Sequence, residues 1–372
     1  MSVDFSTILS TTKPKERSDE FIILGALYAL KSDKSPAPVG AIKTLLDLHR
    51  ARLPTNLSTS LRRCKAHVEP IPGQPLRWKI KPSGIARLRE ITGLDLPAST
   101  DEIGFGCDVG FVCALERPEL EALRSACGTD AAWKEIGEAR YTHVYRESAL
   151  STRSGKVLRV VATASTSMGL TAAAIATTQL IMQFRPRLVV MVGIAAGTHS
   201  GDKQFGDVLV ADPSVDYNSG KVVDVQGIRD FLPDPYPIGL NPRLRSVLQK
   251  YSGDPSVFQR IRDQWGGELP VKANRAHIGP LGAADQVIDD HSRILEITSH
   301  WRKLVGVEME TYAVYRACHE SPEPKPRFVS FKAVCDFAAN KGDSWQAYAA
   351  FTAAHFAVDF LKTEWDALWP SS

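Results

Sequence analysis

No two cysteines in this 372-residue chain are spaced Cys-x-x-Cys; Cys64, Cys107, Cys113, Cys127, Cys318 and Cys335 are scattered singly. That pattern argues against a zinc framework and against a disulfide scaffold, so no metal and no cofactor is expected. Reduced thiols in a cytoplasmic protein are the expectation. No apolar run reaches the ~18 to 20 residues that a membrane span requires, so no membrane partner is expected. The first residues, Met1-Ser-Val-Asp-Phe-Ser6, lack a basic stretch followed by an apolar one, so a secretory leader is not expected. Internal repeats and low-complexity tracts are missing as well.

What is present is ordinary apolar content, 44%, over a length that is generous for one domain and comfortable for two. The net charge of +3 hides an asymmetry. Residues 1–100 hold 16 Lys/Arg and 9 Asp/Glu, a surplus of +7, which leaves −4 for the rest. A small basic region beside a larger acidic one points to different partners for each, with a solvated basic face as the alternative.

The first 95 residues read as short helices over 21–30, 38–49 and 56–65. Two strand-like pieces follow, 67–69 and 76–80, joined by the turn-rich Pro70-Ile-Pro-Gly-Gln-Pro75, and a last helix covers 84–91. Ser18-Asp-Glu20 supplies a helix start. Three helices and a hairpin resemble a winged helix-turn-helix domain. Residues 96–107 read as a polar, Gly/Pro-bearing linker. From residue 108 to 372, strands and helices alternate, which argues for an α/β domain. Strands are expected at 109–114, 157–162, 188–193, 208–211, 304–308 and 327–334; helices at 118–126, 170–184, 311–320 and 344–362. Residues 226–272, rich in Pro, Asp and Arg, read as an elaboration outside the sheet.

Three acids stand out because each follows or interrupts an apolar run: Glu119, Glu310 and Asp336. Acids at the carboxyl ends of strands in an α/β domain face the crevice where ligands bind. An isolated ionised carboxylate is costly in such a place and needs a reason to be there. A helix cap or an ion-pair partner is the plain alternative for each one taken singly.

Leu188-Val-Val-Met-Val-Gly-Ile-Ala-Ala-Gly197, Phe205-Gly-Asp-Val-Leu-Val210, Val307-Glu-Met-Glu310 and Lys332-Ala-Val-Cys-Asp336, in that order, resemble the nucleoside phosphorylase superfamily. Within it they are most similar to the methylthioadenosine/S-adenosylhomocysteine nucleosidase branch. The resemblance covers about 108–362. It implies a three-layer α/β sandwich with its site at strand ends, usually shared across a homodimer or higher homo-oligomer. It implies that Asp336 protonates N7 of a purine and that Glu310 holds the ribose hydroxyls, with Met309 packed under the sugar. It assigns the activation of water to Glu119, with Glu116 as second choice. Ile194, Ala195 and Gly197 fall in the segment that approaches the ligand, where many family members carry Ser or Thr at the position of Ile194. Val287 and Ile288 fall in the loop beside the base, where an aromatic is common in methylthioadenosine enzymes.

The chemistry is coherent on the residues alone. A purine leaves poorly until a ring nitrogen is protonated, a carboxylic acid supplies that proton, and a carboxylate stabilises the sugar cation left behind. The phosphorylase branch has Gly-Asp-Pro-x-Arg after its first strand; this chain has Ala114-Leu-Glu-Arg-Pro-Glu119, which favours water over phosphate. The expected activity is hydrolysis of the N-glycosidic bond of a purine, adenine above all, on a nucleoside or nucleotide. Phosphorolysis, and a DNA-binding regulator that only senses a nucleoside, stand as alternatives. Lys332, Arg275 and His277 are candidates to hold a 5′ phosphate chain. Arg62, Arg63, Lys65, Arg77, Lys79 and Lys81 are the candidate surface for a nucleic acid or protein partner of the first region. A nucleosidase joined to a small docking domain resembles the layout of bacterial anti-phage effectors.

Overall fold

The structure, a computed structural model, describes residues 4–14, 17–32, 36–72, 75–94, 96, 105–128, 132–137, 142–198, 202–338 and 343–369. Its chain divides into two compact units, Met1–Gly104 and Phe105–Ser372.

The first unit runs α1 (Phe5–Ser10), α2 (Asp19–Ala29), β1 (Ala37–Pro38), α3 (Val39–Leu48), α4 (Leu57–Arg63), β2 (Val68–Ile71), β3 (Arg77–Ile80) and α5 (Pro82–Thr92). Ser18 starts α2 by accepting from the Phe21 N–H, as its position before the apolar run requires. Phe21 through Tyr28 are all buried, so α2 is the axis of this unit's core. The three strands form an antiparallel sheet in the order β1-β3-β2. Alternation along β3 turns Trp78 and Ile80 inward and leaves Arg77 outside. The helix α1 and the short β1 carry no periodic signal strong enough to be read from the sequence.

The second unit is a mixed α/β fold of three layers. Its strands are β4 (Cys107–Cys113), β5 (Lys134–Ile136), β6 (Tyr145–Ser151), β7 (Val157–Ala164), β8 (Pro186–Gly197), β9 (Val208–Asp216), the outlying hairpin β10 (Gly220–Val225) and β11 (Ile228–Pro233), β12 (Ala276–Ala283), β13 (Gly306–Glu308) and β14 (Arg327–Asp336). Its helices are α6 (Glu121–Ala126), α7 (Leu170–Phe184), α8 (Pro242–Ser252), α9 (Pro255–Arg262), α10 (His291–His300), α11 (Thr311–Glu320) and α12 (Gln346–Leu368). Among the described residues nine strands make one sheet, β13-β12-β9-β14-β8-β4-β7-β6-β5, and β13 also pairs with the end of β8.

Period-two alternation on β8 explains the layers. Leu188, Val190 and Val192 join the core under α6, α8, α9 and α12. Val189 and Met191 join the core under α7 and α11. A strand buried on both faces must be apolar at every position, which is why β4, β8 and β14 read so plainly. The hairpin β10–β11 and helices α8 and α9 occupy 220–262, outside the central sheet.

Three local differences from the sequence reading matter for the site. Strand β8, expected to end at 193, continues through Ile194–Gly197 because Ala196 and Gly197 pair with Val307 and Gly306 of β13. The helix expected from Pro118 begins at Glu121; Glu116–Leu120 form a single wide turn with a cis Arg117–Pro118 bond. Residues 276–283 form β12, hidden in the sequence by Gly279, Pro280 and Gly282, with an irregular step in its pairing at Gly279–Leu281. Among the described residues no helix is long and apolar enough to cross a membrane.

Candidate active site

The parallel strands β4, β8 and β14 end at a cavity of about 310 Å³, closed by the loop after β12 and by the β13–α11 junction. Glu119, Glu308, Glu310 and Asp336 all line it.

Glu119 is carried by the wide turn after β4 and is 1% exposed. Its Oε2 accepts from the N–H groups of Ala114 (2.8 Å) and Leu115 (3.0 Å), and its Oε1 from Ile194 (2.9 Å). Three backbone donors, two just past the end of β4 and one in β8, thus fix one carboxylate. Gly193 makes this possible, since a Cβ there would overlap Glu119 Oε1. Burial raises the Glu119 carboxyl above its ordinary value, against the pull of Lys332 and of the Ile194 and Leu115 N–H groups; Glu310 adds to the rise.

Glu308 and Glu310 flank Met309 at the end of β13. Glu308 does structural work. Its oxygens accept from Glu310 N and Thr311 N at 3.0 Å, which caps the start of α11. Glu310 Oε1 accepts from Gly169 N (3.1 Å) and its Oε2 from Lys332 Nζ (3.0 Å). Lys332 Nζ also stands 3.3 Å from Glu308 Oε2. Lys332 is fully buried in β14. Burial alone would favour its neutral amine, but Glu310, Glu308 and Glu119 outweigh it and hold the ammonium well above the lysine range. One cation cannot neutralise three buried carboxylates, and burial pushes the Glu308 carboxyl upward against Lys332.

Asp336 ends β14 and is half-buried. Its Oδ1 accepts from Ala338 N (2.7 Å) and its Oδ2 receives the Cys335 thiol (3.4 Å). Ala338 holds a left-handed backbone, φ 56°, which turns the chain sharply after the acid.

The structure brings together most of the residues singled out by sequence. Asp336, Glu119, Glu310, Met309, Ile194, Ala195, Val287 and Ile288 line the one cavity. Gly197 and Lys332 do not. Gly197 sits against Val334 and Phe337, where a Cβ would crowd both. Lys332 lies beneath Glu308 and Glu310, and with its Nζ on their oxygens it has no reach to a 5′ phosphate. Arg275 and His277 stand at the start of β12, the end away from the cavity, and His277 Nε2 pairs with Asp207 (2.9 Å). Glu116 faces Arg146 (2.9 Å) and does not line the cavity. Sequence reasoning missed Glu308, Met168, Gln286 and Gln346. The Glu-x-Glu spacing does carry a signal for Glu308: two acids one strand period apart point the same way, and one of them starts a helix.

A family model of the phosphorylase superfamily matches residues 108–359. Among curated proteins, the uncharacterised protein y4jS of Sinorhizobium fredii is 35% identical over 68% of this chain and 62% of its own length. The ATP nucleosidase Cap17 of Escherichia coli is 26% identical over 57% of this chain and 43% of its own length. The 5′-methylthioadenosine/S-adenosylhomocysteine nucleosidase of a Marinomonas species is 27% identical over 50% of this chain and 72% of its own. The chain thus spans less than two thirds of the first two relatives. The solved 5′-methylthioadenosine/S-adenosylhomocysteine nucleosidase of Helicobacter pylori superposes with a TM-score of 0.53 at 19% identity, over 69% of this chain and 99% of that one. The futalosine hydrolase of the same organism gives 0.52 at 18% identity, over 69% and 97%. At those identities the likeness speaks for the fold, and it matches the three layers described above. With the family match spanning more than half of its length, this chain belongs to the phosphorylase superfamily.

Proposed function

We propose that the second unit hydrolyses the N-glycosidic bond of a purine nucleoside or nucleotide, with adenine as the base. The observation that carries this reading is the meeting of Glu119, Glu310 and Asp336 on one cavity at the strand ends. The base lies against Val287 and Ile288, and Asp336 gives its proton to N7. The bond from the base to C1′ then breaks with its electron pair going to the base. Glu310 holds the ribose hydroxyls and stabilises the positive charge on the sugar, over Met309. Glu119 takes a proton from water, whose oxygen bonds to C1′. The products are free base and the sugar with a new hydroxyl.

Water is favoured over phosphate because the described lining residues include four carboxylates and neither Lys nor Arg. Phosphorolysis needs cations or free backbone amides for its anion. The same lining gives a phosphate chain no cationic partner, so uncharged 5′ groups are expected to react faster than AMP or ATP. The test is release of free base from methylthioadenosine, S-adenosylhomocysteine, adenosine, AMP and ATP. Asp336→Asn should lower release roughly 10²- to 10⁴-fold at unchanged Tm. Retained activity removes Asp336 from the mechanism, and tight binding without any base release favours a sensor.

A second reading rests on the ATP nucleosidase among the relatives. In it the chain is a defence effector that depletes an adenine nucleotide pool once triggered. ATP reacting faster than adenosine, with falling pools in activated cells, would favour it.

For the first unit we propose a winged helix. The order helix, strand, two helices and hairpin, with the sheet order β1-β3-β2, supports it. Arg62, Arg63, Lys65 and Arg77 are exposed there and suit a nucleic-acid backbone. Lys79 pairs with Glu69 (3.7 Å) and Lys81 donates to Lys65 O (2.9 Å), so they are less available. We also place the chain as a homo-oligomer. Exposed Met182 and the apolar groove between α7 and α11, lined by Leu170, Ala174, Ile181 and Tyr312, support this, and light scattering tests it.

A further inference from the structure

Far from the catalytic cavity, four elements meet around a pocket of about 130 Å³. Three cations line it, Arg153 from the β6–β7 turn, Arg260 from α9 and Lys362 from α12, with the His355 imidazole of α12 beside them. Lys362 is 16 residues along α12 from Gln346, or about 24 Å of helix. Asp359 is the one acid among the described lining residues, and it is already saturated. Arg153 reaches its Oδ1 (2.7 Å), while Arg260 (2.9 Å) and the Tyr251 hydroxyl (2.7 Å) reach its Oδ2. Three full cations therefore face one carboxylate.

Donors are left over. Among the described residues, the Arg260 Nε–H and His355 Nε2 are buried and find no hydrogen-bond partner. Arg260 spends its Nη1 on Ser256 (2.7 Å) and its Nη2 on Asp359. Gln264 is also in the wall, and its amide N–H donates to Arg260 O (2.9 Å). Among the described residues, no acid pairs with Lys362. A buried donor without a partner is costly, so unspent donors beside surplus positive charge call for an acceptor. The volume admits an acceptor of a few heavy atoms and excludes a nucleotide, taking a water as roughly 30 Å³.

We propose that this pocket binds a small tetrahedral oxyanion, a phosphate group, held by Arg153, Arg260, Lys362 and His355. The anion ties α9 and the β6–β7 turn to α12, independently of the chemistry at Asp336.

The test is thermal unfolding of the full chain in rising inorganic phosphate, with chloride adjusted to constant ionic strength. A parallel arm uses ribose 5-phosphate. The wild type should show a saturable rise in Tm, as a ligand of the native state must give. Lys362→Gln and His355→Gln should each move the half-saturating concentration upward at least tenfold. Ribose 5-phosphate acting as well as inorganic phosphate identifies the phosphate of a larger molecule as the source, and supports the site provided Lys362→Gln abolishes it. No saturable rise, or one unchanged in both variants, overturns the proposal.

Discussion

Lys332 stands against Glu308 and Glu310, and its charge bears on Glu119 as well, so one buried cation faces three acids. Removing it leaves buried carboxylates without their cation, a change worth about 3–5 kcal/mol of stability. Lys332→Met should therefore lower Tm by something on the order of 10 °C. Adding Glu308→Gln should recover part of that loss, because one uncompensated charge is gone. Denaturant titration of the single and double variants measures both effects; equal stability in the two would show that Glu308 and Lys332 are not coupled. Glu119→Gln keeps the shape of its side chain yet loses the base, so its effect should fall on turnover, roughly 10²- to 10⁴-fold, with Tm held. At this scale the sequence announced Glu310 and Asp336 by the apolar runs they close. It singled out Glu310 and passed over Glu308, whose capping of α11 is seen only in the structure.

At the scale of elements, the site depends on how closely the turn after β4 approaches β8. Only a residue without Cβ at 193 lets Glu119 reach the Ile194 N–H. Gly193→Ala should push the carboxylate out of its three-donor cradle, cutting base release at least tenfold. Circular dichroism should remain unchanged, since the strand itself tolerates alanine. Unaltered kinetics would mean that the close approach has no bearing on catalysis. The glycine was visible in the sequence beside a ligand-binding segment, but its neighbour is a carboxylate and not a ligand. Strands β4, β8 and β14 were legible because burial on both faces demands continuous apolar runs. Strand β12 was not, because its Gly and Pro residues are turn signals that pairing with β9 and β13 overrides.

For the whole molecule, charge and pH separate the two units. If the first unit holds a nucleic-acid backbone, binding should fall steeply with salt, and Arg62→Ala and Arg63→Ala should each lower the log–log salt slope by about one. A slope that neither variant changes places the contact elsewhere. In the second unit, burial and then Lys362 depress His355 from the ordinary imidazole value of about 6.5 to about 4. The unfolded chain takes up this proton below pH 6.5 and the native chain does not until about pH 4. Stability is thus full above pH 6.5 and declines as pH falls through that window. His355→Gln should flatten this acid limb in a series of unfolding curves; an identical limb would assign it to other groups.

Apolar periodicity along the chain, with the order of four motifs, was enough to specify an α/β domain after residue 108 and the acids at its strand ends. Those features are local: they depend on which positions must be buried and on where each strand stops. The tertiary structure alone decided that Glu119 and not Glu116 turns inward, that Lys332 is a buried counter-ion, and that Arg275 and His277 lie at the wrong end of β12. Each of those depends on distances between residues far apart in sequence, and a linear pattern of residue types does not encode such distances.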